Sequence, residues 1–210
     1  MTNYLNRKNE WEPSIVFHET EKGDNVSFGI DKDRRSSSAF IPEGDRVAKC
    51  LLRRMRSLLG NAQHENIEYP QLIKYTGGEH FRPHLDTIDG EKAYKFHPDY
   101  PKRPWNRLMT ALVYLGDNCT GGETYFPRVT GVGAGADGTK FSRAANRSGL
   151  IVKPKKGNAV VWKNLLNDGS TDDRLMHAGL AVKSGEKLAM NLFTSYYFDS
   201  PMVGAKANST

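Results

Sequence analysis

Apolar positions along this chain change period once. From Asp45 onward Val47, Leu51, Met55, Leu58 and Leu59 recur at the three-to-four-residue spacing of an amphipathic helix, with Asp45 placed to cap it and Gly60 to end it. Beyond Gly60 the helical period disappears. Short segments rich in β-branched and aromatic residues follow, separated by Gly, Pro and Asn clusters: Glu68 to Tyr75, Arg107 to Leu115, Leu150 to Val152, Ala159 to Trp162 and Lys187 to Phe198. One flanking helix with strands at such intervals predicts a mainly β fold of sandwich or jelly-roll type. Residues 1–44 are polar and irregular, with short apolar pieces such as Ile15 to Phe17, and predict an arm with edge strands.

Two connections, Thr87 to Asn106 and Arg128 to Gly149, run beyond the ~12–15 residues at which structureless loops become uncommon. Both read as functional covers. The second contains Gly131, Gly133, Gly135 and Gly138, which superficially suggests a phosphate-cradling loop. That reading needs a preceding strand, a following helix and a Lys-Ser/Thr or βαβ context, none of which is visible, so the segment reads as a flexible loop.

A chain of 210 residues fits one domain. With 38% hydrophobic and 26% charged residues it is neither collagenous, coiled-coil nor wholly disordered. No apolar run approaches the ~20 residues that cross a bilayer, and the N-terminus lacks a signal-type stretch, so the chain as written reads as unsecreted and cytoplasmic. Cys50 and Cys119 alone make no disulfide framework. Acceptor-like tripeptides at Asn25, Asn118, Asn146 and Asn208 read as chance matches. The net charge of +6 is a modest excess that does not establish nucleic-acid binding, and the cluster Lys49, Arg53, Arg54 and Arg56 reads as a solvated helix face.

The candidate chemistry begins in the stretch from Tyr75 to Asp86. On a strand His84 and Asp86 would project from the same face, setting an imidazole nitrogen beside a carboxylate oxygen. His177, in a distant strand-like region, is suited to complete the set. Two His and one carboxylate on one face of an octahedral ion leave three open positions, the arrangement of non-haem Fe(II) oxygenases. His80 and His84 have the spacing of a helical zinc pair, but Pro83 and the missing Glu defeat that reading. His80 shares strand parity with His84 and reads as a half-exposed structural residue. His18, His64 and His97 have no recognisable partners.

Lys187 opens the last strand, where Lys187, Ala189, Asn191 and Phe193 share one face and Leu188, Met190 and Leu192 the other. A lysine pointing into a β-roll needs an anionic partner, because burying its charge alone is costly. A dicarboxylate would supply one.

Together these segments resemble the prolyl 4-hydroxylase family of Fe(II)/2-oxoglutarate dioxygenases. The resemblance spans residues 34–198 and rests on Gln71 to Tyr75 leading to Pro83-His84-Leu85-Asp86, on Arg107 to Leu115, on Gly121 to Pro127, on Val152 to Ala159 and on His177 to Lys187. It implies a double-stranded β-helix over 34–198, with residues 1–33 as arm or edge strands and 199–210 as a tail. It also implies that His84, Asp86 and His177 hold iron, that Lys187 pairs with the distal carboxylate of 2-oxoglutarate, and that Tyr75 and Thr124 help hold that cosubstrate. Arg107 matches an arginine near the peptide substrate, and Phe193 stands where the family commonly carries Trp.

By this resemblance Fe(II), 2-oxoglutarate and O2 take part, with ascorbate as candidate reductant, and an unactivated C–H bond is hydroxylated as succinate and CO2 are released. The expected substrate is a prolyl residue in a peptide; free proline, another amino acid or a small metabolite is the alternative. Nucleic-acid demethylation is disfavoured, since related demethylases anchor 2-oxoglutarate through arginines on the last strands, whereas here Lys187 is followed by Asn191, Phe193 and Ser195. A binding module without turnover would not need all three ligands and the lysine.

Overall fold

The computed structural model describes residues 11–19, 26–30, 33–42, 44–60, 66–88, 105–133, 136, 138–145, 148–199 and 201. Most of the Thr87–Asn106 connection, most of the tail, His64, His97, Asn25, Asn146 and Asn208 lie outside the described residues.

In chain order the elements are β1 (Glu12–Pro13), β2 (Ile15–Glu19), β3 (Val26–Ile30), β4 (Ser37–Phe40), α1 (Arg46–Leu59), β5 (Asn66–Ile67), β6 (Gln71–Tyr75), β7 (Phe81–His84) and β8 (Trp105–Gly116). They continue with β9 (Cys119–Gly121), β10 (Thr124–Phe126), β11 (Phe141–Arg143), β12 (Leu150–Val152), β13 (Ala159–Lys163), a 3-10 turn at Asp173–Leu175, β14 (His177–Gly179), β15 (Val182–Gly185) and β16 (Lys187–Tyr197).

Two antiparallel sheets dominate. The larger runs β1-β4-β6-β16-β8-β13, with β5 also paired to β16; the smaller runs β11-β12-β10-β14-β7. A core of Ile73, Tyr75, Leu112, Tyr114, Trp162 and Ala189 from the large sheet meets Phe126 and, at its margin, Phe81 and Val152 from the small one. Apolar side chains from both sheets therefore close on each other, the double-stranded β-helix expected from the resemblance. The opposite face of the large sheet, through Leu72, Ala111, Met190 and Leu192, packs against α1.

The helix begins where Asp45 accepts a 2.7 Å hydrogen bond from the Val47 N–H and ends at Gly60, whose φ of 57° suits glycine. Its buried stripe is Ala48, Leu52 and Met55, flanked by Val47, Leu51 and Leu59. Leu58, expected in the stripe, is 64% exposed because it lies on the flank rather than the centre of the face meeting the sheet. The cluster of Lys49, Arg53, Arg54 and Arg56 is solvent-exposed, and both cysteines are free.

The Arg128–Gly149 connection is not structureless, because β11 within it pairs with β12. Gly149 (φ 84°) carries the chain back into β12 past the Phe126 carbonyl, which a Cβ would strike. The N-terminal side contributes to the edges of both sheets. Arg35 N–H donates to the His80 carbonyl (2.9 Å), Arg82 N–H donates to the Asp33 carbonyl (2.9 Å), and Arg34 bridges to Phe81. Residues 33–36 thus run along the outer edge of β7 before the chain enters β4, strapping the small sheet to the large one. β1 pairs with β4 and forms one edge of the large sheet.

Candidate metal centre

Antiparallel pairing of β7 and β14 puts His84 directly opposite His177, with ring centroids 4.3 Å apart. Asp86 was expected to share strand parity with His84. Instead β7 ends at His84 and the chain bends, so Asp86 reaches the site from the turn that follows. Its Oδ1 lies 3.6 Å from His84 Nε2 and 3.7 Å from His177 Nε2. The other ring nitrogens are held by backbone: His84 Nδ1 is 2.8 Å from the Arg82 carbonyl and His177 Nδ1 is 3.0 Å from the Leu175 carbonyl. A hydrogen on each Nδ1 leaves both Nε2 lone pairs facing Asp86, the tautomer that metal-ligating histidines require.

Burial, and then the neighbouring His177, push the His84 imidazole down to about 4, so at neutral pH its ring is uncharged. Burial alone would raise the Asp86 carboxyl; His177, His84, Arg107 and the Thr110 hydroxyl outweigh it and hold the group below its usual range. Two imidazoles and one carboxylate, all within 4.8 Å of one another, fit a divalent ion. Phe81 stacks on His84 at 3.7 Å, while Trp162 (4.9 Å) and Phe126 (5.4 Å) pack against His177, giving the site apolar walls.

Lys187 pairs across strands with Tyr75 and is 3% exposed, with Nζ 5.3 Å from the Tyr75 ring centre and 5.7 Å from that of Tyr114. Burial pushes its ammonium down to about 8. Among the described residues no carboxylate lies within ion-pair distance of it. A buried cation with no carboxylate in ion-pair reach among the described residues, beside a metal-type triad, fits the carboxylate of a small anionic cosubstrate. Thr124, also buried, shares a 2.8 Å hydrogen bond with the Tyr114 hydroxyl, and burial raises both the Tyr75 and Tyr114 phenols, the latter to about 12.

Arg107 and Phe193 form a wall. The guanidinium lies 3.8 Å over the Phe193 ring, donates through Nε and Nη2 to the Glu68 carboxylate (2.6 and 2.7 Å), and reaches the Asp86 carbonyl with Nη1 (3.4 Å). Glu68 therefore occupies the fork of Arg107, which braces Asp86 while facing the site. His80 stands apart from the triad, its ring 3.3 Å from the Gly78 carbonyl.

Five residues around the site went unread in the sequence: Arg34, Glu68, Thr110, Tyr114 and Asn164. Thr110 and Tyr114 share one face of β8, a parity that would have found them. The Arg34 guanidinium lies 4.9 Å over Phe81, the ring that stacks on His84. Arg34 and Asn164 come from connecting segments with no periodic signal, and Glu68, at the start of the predicted Glu68 to Tyr75 segment, falls in the connection between β5 and β6.

The 2OG-Fe(II) oxygenase superfamily model matches residues 70–195. Prolyl 4-hydroxylase 1 of Arabidopsis thaliana is 34% identical over 76% of this chain and 53% of its own length, and probable prolyl 4-hydroxylase 6 of the same plant 28% over 86% and 59%. The chain thus spans little more than half the length of these relatives. Among solved structures, a viral collagen prolyl hydroxylase from Paramecium bursaria Chlorella virus-1, in complex with 2OG, is 27% identical with a TM-score of 0.58, covering 78% of this chain and 80% of that one. The triad in its β-roll, the buried lysine beside it and these matches agree: the chain belongs to the 2OG-Fe(II) oxygenase superfamily, and the relatives named here are prolyl hydroxylases.

Proposed function

We propose that this protein is a 2-oxoglutarate-dependent dioxygenase that hydroxylates prolyl residues in peptides or proteins. The observation that carries the reading is the pairing, inside one β-roll, of the His84–Asp86–His177 cluster with a buried Lys187. Iron(II) bound there, with 2-oxoglutarate and O2, supplies the chemistry that oxidises a C–H bond.

The chain's own residues bind, orient and exclude. His84 and His177 present Nε2 lone pairs because backbone carbonyls hold their Nδ1 atoms. Lys187 neutralises the distal carboxylate of the keto acid, and Tyr75 and Thr124 line the same interior. Phe81, Phe126 and Trp162 keep water from the centre. Arg107, fixed between Glu68 and Phe193, gives the substrate side a rigid, partly polar wall. Such a wall suits an extended peptide, and proline-rich peptides are already extended, so holding one costs little conformational entropy.

The test is mass spectrometry of proline-rich peptides and of free amino acids incubated with protein, Fe(II), 2-oxoglutarate and ascorbate. One added oxygen on a peptidyl proline, with succinate formed in step, supports the reading. Oxidation of free amino acids alone would replace it with small-molecule hydroxylation.

A further inference from the structure

We propose that Thr110 and Asn164 are positioning residues, a hydrogen-bond relay that holds the Asp86 carboxylate so that a single oxygen faces the metal. The inference rests on the iron-site reading above.

Asn164 follows β13 and is pinned through both of its backbone groups: its N–H donates to the Leu108 carbonyl (2.7 Å) and its carbonyl accepts from the Asp172 N–H (2.8 Å). Its side-chain Nδ2 is 2.9 Å from Thr110 Oγ1. An amide nitrogen can only donate, so the threonine oxygen accepts there. The one hydroxyl hydrogen of Thr110 is left for Asp86 Oδ2, 2.7 Å away. Asn164 thereby fixes the direction of the second hydrogen bond as well as making the first.

The consequence falls on the carboxylate. The last torsion of an aspartate is broad and roughly two-fold, so an untethered Asp86 could turn either oxygen, or both, toward an ion. With Oδ2 engaged by Thr110, Oδ1 faces the two histidine Nε2 atoms at 3.6 and 3.7 Å. Ligation through one oxygen preserves the three open positions that a two-histidine, one-carboxylate site offers; ligation through both would consume one of them. Thr110 is 1% exposed and Asn164 3%, so water cannot substitute readily for either partner.

The experiment uses Co(II) as an air-stable probe, titrated into the whole chain and followed by its visible absorption and by quenching of Trp162, whose ring is 4.9 Å from that of His177. Wild type should bind one ion. Thr110→Val, which keeps the shape and removes the hydroxyl, should weaken binding about 10- to 100-fold, and Thr110→Ser should restore most of it. Asn164→Leu should weaken binding in the wild-type background and add nothing to Thr110→Val, as coupled members of one network do.

Absence of Co(II) binding by the wild type would sink the metal reading itself. If the wild type binds but folded Thr110→Val binds equally well, if Thr110→Ser fails to rescue, or if the two substitutions add independently, the relay is overturned and the metal site stands. Should Thr110→Val not fold, wild-type affinity in Asn164→Leu overturns the relay by itself.

Discussion

His84 and His177 meet as cross-strand partners on the small sheet, their rings 4.3 Å apart, although they lie in distant parts of the chain. A metal bound between them ties β7 to β14. His177→Ala should abolish stoichiometric binding of Fe(II) or Co(II), measured by titration calorimetry. It should cost about 2–3 kcal/mol through the cavity left against Trp162 and Phe126 while circular dichroism stays that of a β protein. In the wild type, metal at about 100 times Kd should add about 2.7 kcal/mol of stability, removed by a chelator.

Lys187→Met should separate stability from function. The folded-state ammonium titrates at about 8 against a usual value of 10.5, so the unfolded chain binds more protons between those values and wild-type stability rises as pH climbs through that window. At pH 7 the buried charge costs the metal-free protein on the order of 3 kcal/mol by this linkage. Lys187→Met should therefore melt higher than wild type at pH 7, the gap should close toward pH 10.5, and coupling to 2-oxoglutarate should be lost. Scanning calorimetry across that range checks the sign.

Binding of 2-oxoglutarate should carry the same titration. Below about pH 8 the lysine already holds its proton; above it, the anion must bring one in, so affinity should fall with rising pH, up to about tenfold per unit. A flat affinity from pH 7 to 9.5 would contradict the pairing.

Glu68→Ala should strand the Arg107 charge beside Phe193 and Asp86. The expected loss is about 3 kcal/mol, with most of it recovered when Arg107→Met is added, because removing one member of a desolvated pair costs more than removing both. Urea denaturation of the two single variants and the double variant reads this directly.

Gly122 has φ 72°, and a Cβ there would meet Val182 Cγ2 at 3.0 Å and Lys187 Cδ at 3.3 Å. Gly122→Ala should cost about 1–2 kcal/mol for the left-handed backbone and raise the KM for 2-oxoglutarate more than it lowers kcat, since the displaced atom belongs to the lysine stem.

What was legible in the chain was what is local or repeats with a strand's period. Asp45 and Gly60 bound α1 because capping involves neighbouring residues. Leu58 was misassigned because Val47, Leu51 and Leu58 form one apolar flank and Ala48, Leu52 and Met55 another, and only the sheet beneath selects between them. His84, Asp86 and His177 stood out by residue type, yet the bend that delivers Asp86 is invisible to a strand argument. β11 was lost because three residues are too few to show a period. Arg107 and Glu68, or Asn164 and Thr110, come together only when the sheets close, and no spacing along the chain announces such a meeting.

The strap at residues 33–36 carries a consequence for where this enzyme domain effectively begins. It covers the outer edge of β7, holds Arg34 over Phe81 and hands the chain across to the large sheet. A chain trimmed to start at Ser37 would retain all three ligands and the lysine, yet would uncover Phe81, the ring stacked on His84, and leave amide groups at the edge of β7 free to recruit a strand from another molecule. Segments upstream of the first ligand thus act as a shutter for the site as much as an appendage to it.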